Sequence, residues 1–118
     1  MGSFSFLKKE RLLNRKDFVN LNRLGKRYYT AHFDIIFRKN DLGITRLGIT
    51  ASKKIGNSVI RNGIKRYIRE FFRCHKTHFP QGYDIVVTAK KGAADLDFWS
   101  VAEELEQFCQ NKKFGVSL

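Results

Sequence analysis

The stretch "NSVIRNGIKRYIREFFR", residues 57–73, combines an oily stripe with a cationic one. A helix advances about 100° per residue. On that wheel Ile60, Ile64, Tyr67, Ile68 and Phe71 share an arc of roughly a third of the circle, the width of a core-facing stripe. Arg61, Asn62, Lys65, Arg66, Arg69 and Arg73 fill the opposite arc, interrupted only by Glu70. The spacing predicts a helix opened by Gly56 and Asn57 and ended before "HFPQG". One side is buried, and the other meets something negative.

On either side of this helix the pattern turns to strands. "ITRLGITASKK" reads as a strand over residues 45–53 with Leu47, Ile49 and Ala51 inward. "YDIVVTAKK", residues 83–91, has a continuous apolar centre, which predicts burial on both faces. Two strands joined through a helix are expected to be parallel neighbours. Lys53, Lys54, Lys90 and Lys91 then gather with the helix N-terminus at one sheet edge. Cationic side chains beside unpaired backbone N–H groups make a phosphate site.

Upstream, "LNRKDF" carries a helix start, with Asn14 as N-cap, Asp17 three residues on and Leu13 placed to staple onto Phe18. This helix is expected to reach Leu24 and stop at Gly25. "YYTAHFDIIFRK" alternates, with Ala31, Phe33, Ile35 and Phe37 on one face, and "NDLG" at 40–43 is a turn. Downstream, Asp95 or Asp97 caps a last helix carrying Phe98, Val101, Ala102, Leu105 and Phe108 at helical spacing. Helix, strands, helix, strand, helix describes an α+β sandwich, a single domain over residues 1–118.

Lys and Arg number 23 against 11 Asp and Glu, a net charge of +12. So large a surplus on so small a chain points to a polyanionic partner rather than to solubility alone. No apolar run approaches membrane-spanning length, and "MGSFSFLKKERLL" lacks the apolar core and cleavage site of a signal peptide. Phe6 stands where a myristoylation signal needs Ser or Thr. Cys74 and Cys109, on predicted helices, do not form a disulfide scaffold. A cytoplasmic protein is expected.

No Ser-His-Asp order, glycine-rich phosphate loop or carboxylate pair stands out, so no catalytic residue is assigned. Glu103, Glu104 and Glu106 read as a solvated face. Cys74, His75 and His78 in "CHKTH" fall short of the paired spacing of a zinc site, so no metal ligand is assigned either. Phe18, Tyr28, Tyr29 and Phe33 lie near basic residues, where aromatics stack on unpaired bases, although phenylalanine is usually core. These observations describe a basic domain that leans towards RNA.

"SKKIGNSVIRNGIKRYIREFFR" resembles the signature of the bacterial ribonuclease P protein component. That family shows Lys-Lys, a short variable turn, Arg-Asn-Arg-Ile-Lys-Arg and a further Arg. Here these are Lys53-Lys54, Arg61-Asn62-Gly63-Ile64-Lys65-Arg66 and Arg69. "LLNRKDF", "RLGITASKK", "YDIVVTAKKGAADL" and the final helix also sit where the family has theirs.

The resemblance implies an αβββαβα sandwich with a four-stranded mixed sheet, a short and a longer strand within 26–38, and a left-handed crossover through the basic helix. It implies the accessory subunit of a ribonucleoprotein endonuclease whose RNA uses magnesium to remove the 5′ leader from precursor transfer RNA. The protein itself holds no cofactor. The implied RNA-facing set is Lys53, Arg61, Asn62, Lys65, Arg66 and Arg69. Phe18, Ser52, Lys54 and Lys90 are implied to line a groove for the single-stranded leader. Three positions depart from the family pattern: Gly63 for arginine, Asn22 for a second groove aromatic and Ile36 for a sheet tyrosine, with Tyr28 or Tyr29 as substitutes. A ribosomal-protein-like RNA binder would share the charge and fold without the groove.

Overall fold

Asn14 Oδ1 accepts a hydrogen bond from Lys16 N at 2.8 Å and starts α1, Arg15–Leu24. The computed structural model describes residues 6–12 and 14–111, so the expected staple from Leu13 and the opening Met-Gly-Ser lie outside the described residues. Asp17 does not complete a capping arrangement; its carboxylate lies 3.4 Å from Arg46 Nη1. Gly25 closes α1 in extended backbone, not in the left-handed region. Glycine is needed for another reason: a Cβ there would stand 2.6 Å from Ile36 Cγ2 and 2.7 Å from Leu21 O.

The sheet follows as β1 (Lys26–Tyr29), β2 (Phe33–Lys39), β3 (Arg46–Thr50) and, after α2 (Ser58–Cys74), β4 (Tyr83–Ala89). α3, Phe98–Cys109, completes the αβββαβα order, with Asp97 as its cap. The strand order is β1-β2-β4-β3, antiparallel except for the parallel β3–β4 pair. β4 therefore has a neighbour on each side, and Ile85, Val86 and Val87 are buried, as its unbroken apolar centre requires.

The two faces of the sheet carry two cores. Phe33, Ile35, Phe37, Leu47, Ile85 and Val87 pack against Ile64, Ile68, Phe71 and Phe72 of α2 and Val101, Leu105 and Phe108 of α3. On the opposite face Ile36 and Val86 meet Leu12 and Leu21, with Phe18 packed against them. Each such buried side chain contributes about 1.5–3 kcal/mol relative to exposure.

Two expectations fail locally. Ala31 does not point inward; it is exposed in the turn between β1 and β2, where the alternation continues through residues that are not strand. Ile60 lies on the apolar stripe of α2 but is exposed, its side chain lying against Gly56 of the preceding loop rather than in the core.

Candidate nucleic-acid interface

Because β3 and β4 are parallel, both end at the same edge, and α2 starts there. Asn57 Oδ1 accepts from Ile60 N at 3.0 Å and Ser52 Oγ from Lys54 N at 3.3 Å, which fixes the loop carrying Ser52, Lys53 and Lys54. All three are exposed. Lys91 is exposed at the end of β4. The predicted cationic edge therefore exists as a place in the fold.

Along α2, Asn62, Arg66 and Arg69 are exposed and Arg61 and Lys65 half-exposed. Among the described residues, none of Lys53, Lys54, Arg61, Lys65, Arg66 and Arg69 forms an ion pair. The buried Arg61 Nε has no hydrogen-bond partner there either. Arg73 is different. Its guanidinium holds Glu70 at 2.6 Å, which pulls that carboxyl below its ordinary range and removes Arg73 from the free arc.

Other acids are committed away from α2. Asp84 takes Arg46 in a two-pronged bond at 2.8 and 2.7 Å, Glu10 pairs with Lys76 at 2.8 Å, and Glu106 meets His78 at 2.9 Å. His75 Nδ1 lies 3.0 Å from Phe71 O, and Cys74 Sγ contacts Glu70, so "CHKTH" serves the helix end. With Glu70 held by Arg73 and these acids paired away from the helix, the rest of the α2 arc is left unscreened.

The other face of the sheet presents a row of side chains beside the small core under α1. Register puts Thr50, Thr88, Asp34 and Tyr29 in one row across the sheet, on the face of Ile36 and Val86. Thr50 and Thr88 share a 2.7 Å hydroxyl contact, and the row stays at least partly exposed. Phe18 stands at its rim, half-buried over Gly48. Lys90 is not a free cation: its Nζ donates to Thr30 O at 2.8 Å and lies 3.3 Å from Asp34 Oδ1 and 5.9 Å from the centre of the Tyr29 ring.

Of the two substitute aromatics, Tyr28 packs on Phe108 in the core, whereas Tyr29 is 61% exposed in the row with Asp34 and Thr88. Phe33 is fully buried. Asn22 is exposed at the end of α1, and Ile36 is buried beneath Gly25. At Gly63 a Cβ would meet nothing within 4 Å, so the missing side chain is not excluded by packing.

Two contributors escape the sequence. Glu104, expected in solvent, is only 7% exposed. Its Oε1 accepts from Thr30 Oγ1 at 2.6 Å and His32 N at 2.8 Å, and its Oε2 lies 2.6 Å from His32 Nδ1. Burial pushes its carboxyl up, but these hydrogen bonds outweigh it and hold the group below its ordinary value. Glu104 thereby fixes the turn whose Thr30 carbonyl anchors Lys90. The second is Arg11, which stands with its guanidinium 5.0 Å over the Phe6 ring and shares a cavity with Phe18 and Arg69.

The family model for Ribonuclease P matches residues 6–113. The chain belongs to the ribonuclease P protein family. It is 44% identical over 105 residues to the ribonuclease P protein component of Syntrophus aciditrophicus, covering 89% of this chain and 88% of that one. The RNase P protein of Thermotoga maritima superposes with a TM-score of 0.79 at 39% identity, covering 86% of this chain and 96% of the other. That of Staphylococcus aureus gives 0.78 at 36%, covering 83% and 90%. As a ribonuclease P protein component, the chain is a subunit of the RNase P ribonucleoprotein, an RNA-binding part of a transfer-RNA-processing nuclease. Among the described residues no helix is long and apolar enough to cross a membrane.

Proposed function

We propose that this subunit docks on the catalytic RNA through the cationic edge and the α2 arc, and holds the 5′ leader of precursor transfer RNA in the groove beside Phe18. Lys53, Arg61, Asn62, Lys65, Arg66 and Arg69 take the catalytic RNA; Phe18, Ser52, Lys54 and Lys90 take the leader. The observation that carries this is that Arg61, Lys65, Arg66 and Arg69 of α2 form no ion pair among the described residues, on a helix that starts at the edge where β3 and β4 end. A dense row of unscreened charge is matched by a phosphate backbone.

In this reading the RNA breaks the phosphodiester bond, using magnesium that the RNA binds, and the reaction runs in the cytoplasm. In support, the protein's histidines and most of its carboxylates are engaged in structural bonds rather than aimed at an open site. The protein acts by placement. Its cations stand in for part of the ionic screening that folded RNA needs, and the groove adds affinity only for a substrate that carries a leader.

The test is reconstitution. Added to a bacterial ribonuclease P RNA at low magnesium, the purified chain should restore 5′ cleavage, and the chain alone should cleave nothing. Cleavage that survives complete removal of RNA would overturn the assignment.

A further inference from the structure

Between the segment around Phe6–Arg11, α1, the outer side of β3 and α2 lies a cavity of about 180 Å³. Its apolar surface comes from Phe6, Leu12, Phe18, Leu47, Gly48 and Ile49, and its charge from Arg11 and Arg69; no carboxylate lines it. Arg69 forms no ion pair among the described residues, and the Arg11 guanidinium contacts Phe6 there, over its ring and by a 3.4 Å bond from Nη2 to Phe6 O. The volume is below the roughly 300–1,000 Å³ of sites for drug-sized ligands. It suits one flat ring.

Two guanidiniums above an apolar floor, with no counter-charge, call for a ligand that is flat at one end and anionic at the other. Arg69 lies at the middle of the α2 arc, about 80° from Arg61 and 60° from Arg66 on the helical wheel, by residue spacing. The cavity therefore opens beside the surface proposed to face the catalytic RNA. We infer that it receives one unpaired nucleotide of the catalytic RNA, its base on Phe6 and Ile49 and its phosphate between Arg11 and Arg69. The inference rests on the docking proposed above. It adds to that docking a single stacked base as an anchor, and assigns Arg11 to the interface.

Photocrosslinking in the assembled holoenzyme separates the sources of such a nucleotide. With benzoylphenylalanine in place of Phe6, irradiation should give one dominant crosslink to an unpaired nucleotide of the catalytic RNA, whether or not precursor transfer RNA is present. A crosslink that appears only with precursor and maps to its leader would overturn the inference, as would one spread over helical RNA. Arg11→Ala provides a second measurement that leaves Phe6 in place. It should weaken binding to the catalytic RNA about tenfold, in the range found for stacked, charge-clamped bases. It should also make the log–log salt slope shallower by about one phosphate. Unchanged affinity and slope would overturn the inference while wild-type docking stood; if the wild type itself failed to bind the RNA, the docking proposal would fall instead.

Discussion

The ring of Phe18 lies so close over Gly48 that a Cβ added to the glycine would stand 2.7 Å from Phe18 Cζ. The helix that carries Phe18 and the strand that carries Gly48 thus meet at the one position where the strand has no side chain. This contact sets the height of the ring above the sheet face. Gly48→Ala should tilt or lift Phe18 and cost about 1–3 kcal/mol, as overpacking does. It should also weaken binding of precursor transfer RNA more than of mature transfer RNA. A urea midpoint together with the two affinities checks both effects; loss of stability without change in that ratio would separate the ring from the leader.

Gly63 is the converse case. It sits inside α2 with open space where a side chain would go. Gly63→Ala should stabilise the protein by about 1 kcal/mol, since glycine is that much worse in a helix interior. Gly63→Arg should give a similar gain and steepen the salt dependence of catalytic-RNA binding by about 0.7–0.9 in log–log slope. Thermal unfolding and a salt titration measure the two separately.

The core of this fold was legible because periodicity carries it. The α2 stripe, the apolar run of β4 and the Asn14 cap each depend on residues a few positions apart, whereas pattern alone leaves Asp95 and Asp97 both open as the cap of α3. Glu104 was not legible, because its partners are 72 and 74 residues away in a turn whose geometry no local pattern encodes. Ala31 was misplaced for a related reason: alternation continues through a turn that hydrogen bonding, not hydropathy, defines. The same distance hides the cavity of Arg11, Phe18 and Arg69, assembled from three separate segments. The cationic residues themselves were evident; which of them are free, and that Lys90 and Arg73 are not, depended on where the acids fold.

Glu104→Ala should leave the Thr30 hydroxyl and the His32 N–H short of a partner, costing about 1–3 kcal/mol for a buried group left unpaired. The pH dependence has a definite sign. The Glu104 carboxyl is held below its ordinary value in the folded protein, so its contribution is full above about pH 4.3, the unfolded value. It is lost as pH falls through the lower folded value. Wild-type stability should therefore drop more steeply than that of Glu104→Gln below about pH 4.3. Parallel curves would show that the hydrogen bonds do not favour the ionised form.

Arg66 is exposed on the α2 arc without an ion pair among the described residues. Arg66→Ala should lower affinity for the catalytic RNA and make the salt slope shallower by about one phosphate. Arg73→Ala, which removes a side chain already paired with Glu70, should change the slope less. Equal slopes for the two variants and the wild type would mean that this arc faces solvent in the assembled particle.

The most direct measurement compares the affinity of the reconstituted holoenzyme for precursor and mature transfer RNA, with wild-type protein and with Phe18→Ala. Loss of a stacking platform should weaken precursor binding by roughly 1–3 kcal/mol. The affinity for mature transfer RNA and the fold of the protein should stay as they were. Equal weakening towards both substrates, or a protein that melts on losing the ring, would contradict a groove that holds the leader and would make Phe18 a core residue only.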